Sequence, residues 1–290
     1  MKRDRELALV DAPFVHHPRT TSSMMWGIVA ALSPAAGWAI FCFGPAAALP
    51  IAAALVSSLI GETLVGAARG RFTLGDGSAI LTGLLIGLAM PPSVPLYIPA
   101  ASALFSVALV KGAFGGLGEN WMNPALAGIV FANLNWPKPM STWLPPLHVS
   151  GAEALSGATP LSFARAGGAI GKGSSPLDVL SSGGVRFSGL DGVLTDALNG
   201  SIFAAMNAEL PSGYIDLLIG NRPGAMGELS CVLILAASVF AIARSMIRAE
   251  IPASIVGSFI ILNWAFGGIP YGAGFFAGDA LFALFSGSFL

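Results

Sequence analysis

The feature that most constrains this chain is a series of long apolar stretches separated by polar connections. The first, residues 24–43, contains no Asp, Glu, Lys or Arg, and the second, residues 45–68, contains Glu62 as its one charged residue. About 20 apolar residues are enough to cross the hydrocarbon core of a bilayer as a helix. A transmembrane β-barrel would instead show short segments of alternating hydrophobicity. Charged residues make up only 10% of the chain, against roughly 25% in soluble domains. The sequence therefore predicts an all-α polytopic membrane protein.

The apolar stretches and their polar boundaries predict about eight transmembrane spans in this chain. The spans cover residues 24–43, 45–68, 78–90, 96–110, 124–136, 229–243 and 252–266, and an eighth begins near residue 278. Prolines such as Pro91 and Pro92 break the pattern, which predicts discontinuous helices. The sequence after Asp76 also resembles the sequence after Asp279, which indicates an internal repeat of the kind common in membrane transporters. Because the chain ends at Leu290 inside an apolar stretch, we expect its C-terminal part to be incomplete.

The fifth and sixth spans are separated by a long segment, residues 137–225. Short loops rich in Lys and Arg face the cytoplasm. With five spans before the long segment, all the short basic connections fall on one side: the N-terminal arm, Arg69 with Arg71, Lys111, and Arg244 with Arg248. We therefore expect a cytoplasmic arm at residues 1–23, a first bundle at residues 24–136, an extracytoplasmic segment at residues 137–225 and a second bundle at residues 226–290.

Signatures of metal, nucleotide and hydrolytic sites are absent from the sequence. The adjacent His16 and His17 would point about 100° apart on a helix and make a poor metal pair. His148 has no cysteine or carboxylate at ligand spacing. The net charge of −1 gives no indication of a nucleic-acid partner. Cys42 and Cys231 lie in apolar stretches and are expected to be small buried side chains. We predict no metal site and no catalytic residue.

Two groups of polar residues stand out against this apolar background. In the glycine-rich connection after the fourth span, Glu119, Asn120 and Asn123 come close to membrane depth. Buried polar groups are costly in lipid and often line a site or a pathway, although interhelical hydrogen bonding would explain them equally well. The carboxylates near the membrane are Glu62, Asp76, Glu119 and Asp279. Each could be a helix cap or a loop charge, so no ion path is assigned.

The second group is the short motif Ser156-Gly157-Ala158-Thr159 in the middle of the long segment, with Glu153 six residues before Thr159. Thr159 has no visible general base, so it is not expected to be a hydrolytic nucleophile. An acceptor for a phosphate-containing group needs only exposure and a flexible backbone, which small neighbouring residues provide. Thr159 is therefore the residue on which we expect the function of the segment to depend.

At this point the chain resembles a known family, RnfD/NqrB, the membrane subunits of ion-translocating electron-transfer complexes. Residues 153–159 resemble its flavinylation motif, Asp-x-x-Ser/Thr-Gly-Ala-Thr/Ser, with Glu153 in place of Asp. In that family an ApbE-type flavin transferase attaches FMN through its phosphate to the last Thr, which corresponds to Thr159. Further landmarks follow in the expected order at residues 20–22, 76–84, 90–92, 115–125, 220–228 and 285–287.

The resemblance implies a covalent FMN on Thr159 that passes single electrons at the outer face, with coupled Na⁺ or H⁺ translocation. Arg165, Lys172 and Arg222 are candidate partners for the FMN phosphate. The family's B-subunit branch also holds a noncovalent riboflavin in the membrane region, which this sequence does not localise. The implied partners are the flavin transferase, the lipid bilayer and the other subunits of a complex in a prokaryotic inner membrane, including a second subunit with covalent FMN.

The resemblance also leaves the branch and the number of spans to be settled. Family members are expected to have about ten spans, and the short N-terminal arm favours the D subunit of the Rnf complex, a ferredoxin:NAD oxidoreductase. One alternative is the B subunit of the Na⁺-translocating NADH:quinone reductase, which would differ in its redox partner. A second is a channel or permease without bound flavin. A third is a structural anchor, in which Thr159→Ala would leave turnover unchanged.

Overall fold

In the part of the chain that it describes, the computed structural model consists of helices joined by turns and loops. These residues are 20–70, 73–144, 146, 188–204, 210, 212–221 and 224–266, and they contain no β-strand. The helical fold class predicted from the apolar stretches is confirmed for them. Residues 1–19 of the N-terminal arm, the motif around Thr159 and the predicted eighth span lie outside these residues.

Ten helices occur in the described residues. They are α1 (Thr21–Phe43), α2 (Pro45–Arg69), α3 (Ser78–Leu88), α4 (Tyr97–Gly112), α5 (Pro124–Asn135), α6 (Pro137–Met140), α7 (Gly189–Leu198), α8 (Tyr214–Ile219), α9 (Cys231–Ala243) and α10 (Glu250–Phe266). Helix α4 changes from α-helical to π-helical winding at Phe105, and α7 continues as a π-helical turn over Asn199–Phe203. A short 3₁₀ turn at Leu74–Asp76 precedes α3.

Seven of these helices coincide with the first seven apolar stretches. Within the described residues, α1 and α2 are long and apolar enough to cross a membrane, and α3, α4, α5 and α9 are shorter apolar helices. A charge-free helix of 23 residues such as α1 is about 35 Å long at 1.5 Å per residue, which matches a bilayer. The total of about eight spans stays a prediction.

The helix starts follow from capping residues that are visible in the sequence. The Thr20 side chain accepts a hydrogen bond of 3.2 Å from the Ser23 amide at the start of α1, as its position before the first apolar stretch predicts. Helix α2 begins with Pro45, whose missing amide hydrogen is not needed in a first turn. The Asn123 side chain accepts from the Ala125 amide at 2.9 Å and starts α5.

Helix α2 packs most extensively against α3 and α4, and glycines let these helices approach closely. A Cβ at Gly83 would lie 2.9 Å from the Ala54 carbonyl oxygen, and one at Gly87 would lie 3.0 Å from the Cα of Ile51. Small residues serve this purpose in membrane bundles because lipid supplies no hydrophobic drive for helix association. The resulting core is formed largely by α1, α2 and α3, with Met226 and Leu229 packed into it.

The end of the long segment is tied to the end of α3. The Gly227 amide donates to the Leu88 carbonyl at 2.6 Å, and the Met226 amide donates to the Met90 carbonyl at 3.2 Å. Gly220 has a φ of 97°, and a Cβ there would collide with the Leu229 carbonyl, so only glycine fits. Residues from two landmarks that are far apart in sequence therefore contact each other.

Candidate functional site

The residues predicted to carry the covalent flavin lie outside the described part of the structure. These are Glu153, Ser156, Gly157, Ala158 and Thr159, together with the candidate phosphate partners Arg165, Lys172 and Arg222. Their roles therefore stay predictions. The described residues contain a different polar site, which is buried at one end of the helical bundle.

This buried polar site is a network around the ammonium group of Lys111. Lys111 Nζ lies 2.7 Å from Glu62 Oε2 and 2.6 Å from Ser78 Oγ. Glu62, Ser78 and Lys111 are 4%, 4% and 3% exposed, so the ion pair is removed from solvent. Ser78 Oγ in turn donates to Asp76 Oδ1 at 2.6 Å, and the Thr73 hydroxyl donates to Glu62 Oε1. One ammonium group is thereby linked to two carboxylates.

Three helix ends bring these residues together. Glu62 lies two turns before the end of α2, Ser78 is the first residue of α3, and Lys111 lies near the end of α4. Asp76 Oδ1 also accepts from the Ser78 amide at 2.8 Å, which satisfies one of the free amides at the start of α3. The π-helical winding of α4 uses hydrogen bonds five residues apart. It therefore keeps Lys111 on the same buried side as Ser106.

The buried position of Lys111 corrects one step in the prediction of orientation. The sequence predicts that Lys111 is a basic loop residue on the cytoplasmic side, but it is buried and paired with Glu62. It therefore carries no weight in the comparison of loop charges, whereas Arg69, Arg244 and Arg248 are exposed and still count. The signal for the pair was present in α2, because a carboxylate inside an apolar span requires a partner. The sequence did not identify that partner.

A cavity of about 350 Å³ lies beside the network. It is lined by residues of α1, α3, α4 and the connection before α5, among them Met25, Ser78, Thr82, Lys111, Asn120 and Asn123. Its volume falls within the range of small-molecule pockets, which are mainly apolar with a few polar groups that orient the ligand. The buried ammonium group of Lys111 is on one of the helices that form its wall.

The polar residues of the glycine-rich connection differ in their roles. Glu119 is exposed, and Asn123 caps α5 while also lining the cavity. Asn120 is different because its Oδ1 is buried and has no hydrogen-bond partner among the described residues. An unpaired buried carbonyl oxygen costs roughly 1–3 kcal/mol. Asn123 therefore has a structural role as a helix cap, whereas the Asn120 oxygen has no such role among the described residues.

The glycines of this connection shape its turn. Gly115, Gly116 and Gly118 have φ angles of 121°, 106° and 98°, which residues with a side chain rarely adopt. The Gly116 amide donates to the Lys111 carbonyl at 3.1 Å, so the chain turns immediately after α4. This turn brings Leu117 and Gly118 to the cavity.

A second buried carboxylate, Asp191, lies in the long segment. It is 1% exposed and accepts hydrogen bonds from the amides of Gly213, Ile215 and Asp216, at 2.7, 3.0 and 3.1 Å. Asp216 in turn accepts from the Ser188 hydroxyl at 2.6 Å at the start of α7. Burial raises the pKa of Asp191, and its amide donors oppose that rise. This pair holds α7 against α8, and no pattern in the sequence predicted it.

Known proteins resemble the chain over most of its length. The family model described as the NQR2, RnfD, RnfE family matches residues 8–290. The D subunit of the proton-translocating ferredoxin:NAD(+) oxidoreductase complex of Clostridium ljungdahlii is 32% identical over 278 residues, which cover 95% of this chain and 73% of that protein. The D subunit of the Na(+)-translocating ferredoxin:NAD(+) oxidoreductase complex of Acetobacterium woodii is 30% identical, over 94% of this chain and 77% of that protein.

A third relative agrees with these two. The D subunit of the ion-translocating oxidoreductase complex of Cronobacter sakazakii is 31% identical over 266 residues, which cover 88% of this chain and 73% of that protein. The family resemblance drawn from the motif at residues 153–159 and the ordered landmarks is thereby confirmed. The chain belongs to the NQR2, RnfD, RnfE family.

Proposed function

We propose that this chain is the D-type membrane subunit of an ion-translocating oxidoreductase complex of the ferredoxin:NAD type. Three relatives that match most of the chain are named as D subunits of ion-translocating oxidoreductase complexes, and the names of two of them specify the ferredoxin:NAD(+) type. As a D-type subunit it would sit in a prokaryotic inner membrane beside the other membrane subunits, including a second one with covalent FMN. It would be one part of the translocase and would not be catalytic alone.

The electron-carrying group that we propose is an FMN joined through its phosphate to Thr159. The observation that carries this proposal is the flavinylation motif at residues 153–159, which an ApbE-type flavin transferase would recognise. Bound FMN would supply one-electron chemistry, and the protein would set its position and potential. Arg165, Lys172 and Arg222 are the residues proposed to pair with the phosphate. With the N-terminus in the cytoplasm, this flavin would lie on the extracytoplasmic face.

The cavity beside Lys111 is the proposed site of a second, noncovalent flavin, riboflavin. Its volume of about 350 Å³ suits a flat ring system, and most of its wall is apolar. The buried Asn120 Oδ1 offers an acceptor that the protein itself leaves without a donor in its described part. The cavity lies at the end of the bundle where α2 and α4 end, and the exposed Arg69 at that end supports a cytoplasmic location. The two flavins would then lie near opposite faces of the membrane.

The coupling ion is not fixed by similarity. The Clostridium ljungdahlii relative is named as proton-translocating and the Acetobacterium woodii relative as Na⁺-translocating, and their identities to this chain are 32% and 30%. Ion translocation of either kind is therefore proposed for the complex.

A specific observation also supports a second candidate, the B subunit of the quinone reductase, because the matching family includes NQR2. Reduction of quinone instead of NAD by the assembled complex would favour that branch.

The covalent FMN is tested by in-gel fluorescence. Full-length protein is co-expressed with a flavin transferase, denatured, separated on a gel and illuminated with ultraviolet light. We expect a fluorescent band at the mass of the chain, and we expect Thr159→Ala to abolish it because the acceptor oxygen is gone. Thr142→Ala, in the same segment but outside the motif, should stay fluorescent.

A dark wild-type band would contradict the covalent flavin and favour a channel or permease, or a motif made inactive by Glu153. Fluorescence that persists in Thr159→Ala would place the flavin on another residue. If Thr159→Ala loses the band while turnover of the complex is unchanged, the segment serves as an anchor and the proposed electron path is wrong.

A further inference from the structure

Lys111 and Glu62 form a pair that helix packing alone does not explain. Both side chains are at least 96% buried, and Lys111 Nζ lies 2.7 Å from Glu62 Oε2. Burying two charges costs free energy that their attraction often fails to recover, so apolar residues of similar volume would hold α2 and α4 together at least as well. Because Lys111 lines the cavity, a ligand in that cavity is a further group that the pair could contact.

The hydrogen-bonding capacity of Lys111 supports this explanation. An ammonium group has three hydrogens to donate and no acceptor. Two are directed to Glu62 and Ser78, and the third has no partner among the residues that the structure describes. Because Ser78 Oγ donates its own hydrogen to Asp76, it acts towards Lys111 purely as an acceptor. The network fixes the ammonium group and leaves one of its donors unused.

Two residues that line the cavity therefore carry a donor and an acceptor that lack partners within the described part of the chain. The donor is the third N–H of Lys111, and the acceptor is Asn120 Oδ1; both residues line the same cavity. The complementary chemistry is a flat ring whose edge carries a carbonyl oxygen next to an N–H, as in an imide. This inference rests on the noncovalent flavin proposed above. In that case Lys111 and Asn120 would face the polar edge of the flavin ring.

We propose that Lys111 donates a charge-assisted hydrogen bond to a carbonyl oxygen of the cavity's ligand, and that Glu62 is a positioning residue that sets how much positive charge this ligand meets. Glu62 balances the ammonium group directly, and Asp76 balances it through Ser78. When Glu62 is neutralised, Lys111 faces the cavity with less compensation. The cavity then favours the ligand form that carries more negative charge, which for a flavin is the reduced form.

The experiment uses the full chain purified in detergent, with riboflavin as the probe. Affinity is measured from the quenching of riboflavin fluorescence, and the midpoint potential of the bound riboflavin is measured by titration with dithionite. The variants are Lys111→Met, Glu62→Gln and the double variant, which leaves no isolated buried charge if Lys111→Met alone fails to fold. The exposed residues Lys138 and Glu250 provide the matched controls Lys138→Met and Glu250→Gln.

We expect Lys111→Met and the double variant to bind oxidised riboflavin about 10- to 100-fold more weakly, the range expected when a hydrogen bond to a charged group is lost. Glu62→Gln should keep the affinity for oxidised riboflavin within about threefold and shift the midpoint potential to more positive values. The two control variants should match the wild type in affinity and potential. A role restricted to packing would change thermal stability and leave both of these quantities unchanged.

Wild-type affinity in the double variant would overturn the contact from Lys111, and an unchanged potential in Glu62→Gln would overturn the role of Glu62. Either result would leave the riboflavin proposal intact, because the wild type would still bind the probe. If the wild type neither retains nor binds riboflavin, the proposed noncovalent flavin and this inference are both wrong. The covalent FMN on Thr159 is tested independently by in-gel fluorescence.

Discussion

At the scale of single residues, Asp191 shows how one carboxylate can join two short helices. It lies on α7 and accepts three amide hydrogen bonds at the start of α8, where the amides would otherwise lack partners. Asp216 of α8 returns the contact at the start of α7 through Ser188. Each helix therefore caps the other, and loss of either carboxylate should loosen both.

The substitution Asp191→Asn should destabilise the protein by about 1–3 kcal/mol, because an amide cannot accept from all three backbone donors. Burial raises the pKa of Asp191 above its usual 3.8, with the nearby Asp216 adding to the rise. The folded state therefore binds the proton more tightly than the unfolded state. Stability linked to Asp191 is fully present below pH 3.8 and is lost as the pH rises through the raised folded value.

The difference in melting temperature between wild type and Asp191→Asn should consequently grow as the pH is lowered from 7 towards 4. Thermal melts of the two purified proteins at several pH values measure it. The exposed Asp196 lies on the same helix, and Asp196→Asn should show little difference at any pH. A wild-type advantage that shrinks on acidification would contradict the direction of the pKa shift.

Residue-level features differ in how far the sequence predicts them. The cap at Thr20 was predictable because a cap bonds within its own first turn. The Glu62–Lys111 pair was not, because its members lie 49 residues apart and meet only when α2 and α4 pack. The sequence instead assigned Lys111 to a loop. Local chemistry is visible in one sequence, whereas pairing through space requires the fold.

At the scale of helices, the contact between α4 and α5 depends on Gly128. A Cβ at this position would lie 2.9 Å from both the Ser102 carbonyl oxygen and Ile86 Cδ1, and it would also collide with Ser106 Oγ. Such distances are too short for real Cβ contacts, so the helices would have to move apart. Phe105 and Phe131, whose ring centroids are 4.4 Å apart, lie on the same pair of helices and would be displaced.

We expect Gly128→Ala to cost about 1–3 kcal/mol, the usual range for overpacking a tight core. The measurement is the thermal stability of the purified protein. Gly37→Ala is the matched control, because Gly37 is within α1 and a Cβ there would meet nothing within 4 Å. Alanine at that site should be neutral or stabilising. Equal losses in the two variants would show that the α4–α5 contact is not the cause.

Helix positions were more predictable than their connections. The apolar stretches predicted the positions of α1–α5, α9 and α10, because long runs of apolar residues between polar connections are typical of membrane helices. Helices α7 and α8 were missed, since they are short and their stability comes from the Asp191 and Asp216 contacts. The glycine-rich connection was visible in the sequence, but the cavity beside it was not predicted, because a cavity is formed by several elements together.

At the scale of the whole molecule, the proposed function depends on a defined orientation in the membrane. The ends of α2 and α4 and the start of α3 meet at the Glu62–Lys111 pair, so these helices alternate in direction as a membrane bundle requires. Exposed Arg69 at that end supports a cytoplasmic location. The orientation, the extracytoplasmic position of residues 137–225 and the number of spans rest on the sequence.

Labelling with a membrane-impermeant maleimide tests this orientation. Ser174→Cys, in the long segment, should react in intact spheroplasts, and Ala68→Cys, near the end of α2, should react only after permeabilisation. The native Cys42 and Cys231 are 3% and 0% exposed and should contribute little background. The reverse pattern of labelling would invert the orientation and place the proposed FMN on the cytoplasmic face.

Peptide mass spectrometry of protein matured with a flavin transferase tests the covalent FMN at its proposed residue. We predict that the tryptic peptide ending at Arg165 gains the mass of FMN less one water, and that fragment ions assign the addition to Thr159. An unmodified peptide from protein that was matured in this way, or an addition on another residue, would contradict a covalent FMN at Thr159.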